Sequence, residues 1–97
     1  MPAYWVAHVN VTDPETYKNY SDRAPAALGK YGAKFLARGG RHETLEGDAA
    51  KTRVVVVEFE SFERALECYH SPEYQEAKTF RDGAADIHLA IVESMES

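Results

Sequence analysis

The chain has 97 residues, 44% hydrophobic and 28% charged, with a net charge of −5 and a pI of about 5.3. That length suits one domain over residues 1–97, near the size where association helps to complete a core. The acidic balance argues against nucleic acid and anionic membranes as partners, because both are bound through Lys and Arg.

Cys68 is the single cysteine, which excludes an internal disulfide framework and fits a reducing compartment. No apolar run reaches membrane-spanning length, and Met-Pro-Ala-Tyr-Trp lacks the layout of a secretion signal. A cytoplasmic protein is expected.

Ala3 to Val11 alternates, with Trp5, Ala7, Val9 and Val11 on one face and Tyr4, Val6, His8 and Asn10 on the other. That is a strand with one core face. Asp13-Pro14-Glu15 then opens a helix, with Asp13 as N-cap and Pro14 at the first helical position. Tyr17, Tyr20, Ala24, Ala27, Leu28 and Tyr31 form its apolar stripe. Pro25 predicts a kink or break, since its ring clashes with the Ser21 carbonyl. Gly29 and Gly32 supply the stop.

Ala33 to about Leu45 reads as a second strand, interrupted by a bulge or bend at Gly39-Gly40. Glu46 to Lys51 is a polar connection short enough for a hairpin. The stretch Thr52 to Glu60 carries four successive valines, which cannot alternate in and out of water. A strand holding them is covered on both faces and lies in the middle of a sheet. Ser61 caps a helix with Phe62, Ala65, Leu66 and Tyr69 on one stripe. Ser71-Pro72 restarts it as a second piece, with Tyr74, Ala77 and Phe80 inward, and Gly83 ends it. Asp86 to Glu93 closes the chain as a strand with Ile87, Leu89 and Ile91 on one face.

The order strand, helix, strand, strand, helix, strand is the ferredoxin-like βαββαβ arrangement of the α+β class. It predicts a four-stranded antiparallel sheet ordered 4-1-3-2, with helices on one face. The other face carries Val6, Leu36, Val54, Val56 and Val92. Left in water, each would forgo about 1.5–3 kcal/mol of burial. A second copy of the chain is therefore expected to cover them.

Three segments, Tyr31-Gly-Ala-Lys-Phe-Leu-Ala-Arg-Gly-Gly40, Val-Val-Glu-Phe59 and Tyr69-His-Ser-Pro-Glu-Tyr74 followed by Arg81, stand in an order that resembles the domain of unknown function 1330 family. That family sits in the dimeric α+β-barrel superfamily. The resemblance covers nearly the whole chain and implies that fold and a homodimer, with small molecules often bound beside the sheet–sheet interface. It implies no reaction. Cys68-Tyr69 departs from the family, many members of which place an aromatic such as Trp nearby.

On the phases above, His8, Asn10, Arg38, Glu58 and His88 share the open face with the valines. Ionisable groups buried there need partners or a wet cavity. The hairpin should bring Arg38 near Glu58, and the first and last strands should bring His88 close to His8 or Asn10. A working site would use His8 or His88 as general base and Arg38 to hold an anionic or carbonyl oxygen, with Asn10 and Glu58 contacting a ligand. The plainer reading is an ion pair and bonded histidines that set dimer register.

Tyr20 and Tyr74 either belong to the core or line a cleft between helix and sheet, with Arg81 at its mouth. Arg81 would otherwise pair with Asp13 or Glu73. His8, His42, His70 and His88 show no local ligand spacing, so no metal is expected. No Gly-x-Gly-x-x-Gly or phosphate loop occurs, so no cofactor is expected either. Cys68 reads as a buried, inert thiol.

These observations favour a homodimer that binds or transforms a small organic molecule beside the sheet interface, against a non-catalytic dimeric module. By analogy alone, an enzyme of this kind would carry out cofactor-independent proton transfer or oxygenation of a carbonyl or phenolic compound. RNA binding on the sheet is discarded, because it predicts a basic, Gly-Phe-rich third strand with exposed aromatics, and the valine strand does not have that character.

Overall fold

The computed structural model describes residues 1–47 and 53–95. Its elements are β1 (Ala3–Val11), α1 (Pro14–Gly29), β2 (Lys34–Arg38), β3 (Arg53–Phe59), α2 (Phe62–Tyr69), α3 (Pro72–Thr79) and β4 (Ala85–Glu93). The four strands form one antiparallel sheet in the order β2-β3-β1-β4. The valine strand and the Trp5 strand are therefore its two central members. All three helices lie on one side, where Trp5, Val57, Phe59, Ala24, Leu28, Ala65, Cys68 and Tyr74 pack into a common core.

Helix ends follow their caps. The Asp13 carboxylate accepts from the Thr16 backbone N–H and hydroxyl. Those bonds hold its pKa below the usual carboxylate value, at an exposed site. Ser61 and Ser71 cap α2 and α3 by accepting from the Arg64 and Tyr74 backbone N–H groups.

α1 runs through Pro25 to Gly29 without the break expected there. Pro25 has no N–H to offer the Ser21 carbonyl four residues earlier. Arg38 supplies the missing donor: its Nη2 donates to Ser21 O at 2.7 Å. A side chain from β2 thus completes the helix.

The second strand is much shorter than expected, ending at Arg38, and residues 41–47 are irregular. Part of the connection into β3 lies outside the described residues. The irregularity in β2 also sits elsewhere than the glycine pair. Phe35 is opposite Val57 while Ala37 is opposite Val56, so Leu36 is a surplus residue and the strand is bulged there. Beyond it every side chain changes face. Gly39, at φ +68°, lies against Arg53: a Cβ there would sit 2.8 Å from Arg53 Cζ.

Candidate functional site

The bulge divides the residues singled out from sequence into two groups. His8, Asn10, Glu58 and His88 lie on the open face. His8 is directly opposite His88, as expected, and Asn10 is opposite Asp86. Glu58 stands between Tyr4 and Lys34. The expectation that Arg38 faces the same side near Glu58 is corrected, because Arg38 pairs with Val55 and projects toward the helices. Arg38 and the two histidines are therefore on opposite sides of the sheet and cannot act on one substrate together. On the open face His8, His42 and His88 border a shallow hollow with Glu43 and Glu46. Among the described residues, no three His, Cys, Asp or Glu side chains are grouped to hold a metal ion.

Arg38 joins Tyr20, Tyr74 and Arg81 around a cavity between α1 and the covered face of the sheet. Each element contributes for a local reason. Tyr17 and Tyr20 project inward from the first turns of α1, and Tyr74 occupies the first turn of α3 that Ser71 caps. Arg81 follows Tyr74 by seven residues, in the turn that leads to β4. Trp5, Leu28, Phe35, Val57 and Leu89 form apolar walls, and the interior measures about 40 Å³. By the same measure one water needs about 10–15 Å³, so there is room for a few waters or a small organic group.

Three of the polar groups in the cavity form one connected set. The Tyr20 and Tyr74 hydroxyls are 2.8 Å apart, and Arg81 Nη2 donates to the Tyr74 hydroxyl at 3.4 Å. Arg81 Cζ lies 5.0 Å from the Tyr20 ring centre. It makes this contact in place of the ion pair with Asp13 or Glu73 considered from sequence; Glu73 pairs with Lys30 at 3.5 Å. Burial pushes the Tyr20 phenol well above its usual range, and contact with Tyr74 adds to the effect. Burial raises Tyr17 too, against the pull of Arg53 and Arg81. Burial works against the Arg81 charge, but the tyrosine oxygens outweigh it and keep its pKa above normal.

Tyr17 and Arg53 complete the lining, and sequence reasoning did not single them out as a site. Period two held the clue for Arg53, which shares a face with Val55, Val57 and Phe59. Its Cζ lies 6.0 Å from the Tyr17 ring centre. The lining thus holds three guanidiniums, three phenols and a serine, with no carboxylate or imidazole among the described residues. Such a set stabilises negative charge on oxygen, and it lacks a side chain able to take a proton near neutral pH.

A family model described as a domain of unknown function (DUF1330) matches residues 2–95. No functionally curated protein matches the sequence significantly. Among solved structures, a Rhodopseudomonas palustris protein of unknown function, RPA0582, superposes with a TM-score of 0.77 at 21% identity, covering 99% of this chain and 84% of that one. SnoaB from Streptomyces nogalater, described as a cofactor-independent oxygenase, gives 0.65 at 12% identity, covering 99% and 95%. A dimeric Bacteroides fragilis protein of unknown function with a ferredoxin-like fold gives 0.64 at 11% identity, covering 96% of both chains. At these identities the structural likeness establishes the fold.

Proposed function

Given that the chain belongs to the DUF1330 family, for which no function is defined, we propose that it is a homodimer that binds a small organic molecule in the cavity between α1 and the sheet. The observation that carries this reading is the lining itself: apolar walls around two joined tyrosine hydroxyls and the Arg81 guanidinium, with Arg38 and Arg53 beside them. A folded protein gains nothing from half-burying the Arg53 and Arg81 guanidiniums in a partly apolar pocket unless something meets their unpartnered N–H groups. Tyr20 and Tyr74 orient the occupant by hydrogen bonds, Arg81 fixes those hydroxyls, and Arg38 stands where α1 meets β2.

Binding is favoured over turnover because the lining offers no general base. Were the molecule transformed, as in the oxygenase SnoaB, the cavity's part would be to stabilise an oxyanion on a substrate that loses its proton without help from these side chains. His8, Asn10, Glu58 and His88 belong in this reading to the face that meets the second copy.

The test is a calorimetric and Trp5-fluorescence screen of small phenols, carboxylates and amides against the parent and Ala24→Leu, which fills the cavity from α1. Saturable binding to the parent and its loss in a folded Ala24→Leu variant is the expected result. Equal binding to both proteins would place the ligand elsewhere and overturn the reading.

A further inference from the structure

Two arginines that line the cavity each carry a buried nitrogen with no hydrogen-bond partner among the described residues: Arg53 Nε and Arg81 Nε. A guanidinium N–H removed from water without an acceptor is costly, more so than a neutral donor. The two belong to side chains that flank one tyrosine pair. Arg53 Cζ lies 6.0 Å from the Tyr17 ring and Arg81 Cζ 5.0 Å from the Tyr20 ring, and those rings are 5.5 Å apart. No Asp or Glu is among the described lining residues.

We infer that the occupant of this cavity is a compact organic carboxylate whose two oxygens accept from Arg53 Nε and Arg81 Nε. The inference rests on the cavity being a binding site, as proposed above, and adds the chemical class of what it holds. A carboxylate is flat, carries one charge and takes N–H donors on both oxygens, which matches two separate guanidinium edges. The hydroxyls of Tyr17 and Tyr20, whose pKa values burial raises, remain protonated and do not compete for the cations. The walls formed by Trp5, Leu28, Val57 and Leu89 suit the hydrocarbon part of such a molecule. They are poor surroundings for a free tetrahedral dianion, which would have to leave its hydration shell behind.

The experiment compares butyrate and benzoate with butyramide and benzamide at fixed ionic strength, by calorimetry, with inorganic phosphate and chloride as further probes. The expected result is binding of the acids at least roughly tenfold tighter than their amides, because the amide leaves a donor facing donors. Arg81→Gln should remove that preference, and Arg81→Lys, which keeps the charge without the Nε edge, should remove most of it. Arg53→Gln serves the same purpose should the Arg81 variants fail to fold. Amides that bind as tightly as acids, in a manner still blocked by Ala24→Leu, would overturn the carboxylate assignment and leave the cavity standing as a site. Phosphate or chloride competing as strongly as the acids would also overturn it. Binding that ignores Ala24→Leu altogether would take down both.

Discussion

Ser71 is a buried polar side chain, 4% exposed, and it does three jobs. Its hydroxyl donates to the Cys68 carbonyl at 2.6 Å, accepts from the Tyr74 N–H at 3.1 Å, and so joins α2 to α3. Ser71→Ala should lower stability by about 1–2 kcal/mol, read from urea unfolding. A smaller change would mean that water replaces the hydroxyl. Beside it, burial pushes the Cys68 thiol up to about 12, so the side chain packs as a small apolar group and offers no nucleophile. This role was legible in the sequence, since Cys68 lies among apolar helical neighbours. Tyr20 and Tyr74 were legible only as alternatives. Helical spacing shows that two phenols face inward, and only tertiary packing brings their oxygens to 2.8 Å.

At the scale of elements, β2 governs the site. Its bulge at Leu36 turns Arg38 from the open face to the helices, and Arg38 then caps the carbonyl that Pro25 leaves bare. Strand order and the helix caps could be read directly, because valine runs, Asp-Pro and Ser-Pro pairs each have one favourable local solution. The bulge could not: Leu36 carries no glycine or proline mark, and Gly39-Gly40 drew attention three residues too late. Gly39 has a different task, holding positive φ against the Arg53 guanidinium. Gly39→Ala should cost about 1–3 kcal/mol in strain and displacement. Thermal unfolding would show the loss, and a change in tyrosine absorbance would report the shifted Arg53.

For the whole molecule the open face is decisive. Val6 and Val56 are directly paired across β1 and β3, and Leu36 and Val92 are 49% and 54% exposed. The proposed homodimer buries this face. Val56→Asp should then convert the dimer to a folded monomer in sedimentation velocity at micromolar concentration. A parent protein that sediments as a monomer, or a variant that stays dimeric, would refute that assembly.

One surplus residue in an edge ribbon has a larger reach than its size suggests. Were Leu36 instead paired opposite Val56, strict alternation would return and a cation would move from the interior compartment to the exterior one, on the side of the imidazoles. A one-residue slip of register, with no change of sequence, is the shortest route by which this scaffold would exchange one chemistry for another while keeping its architecture.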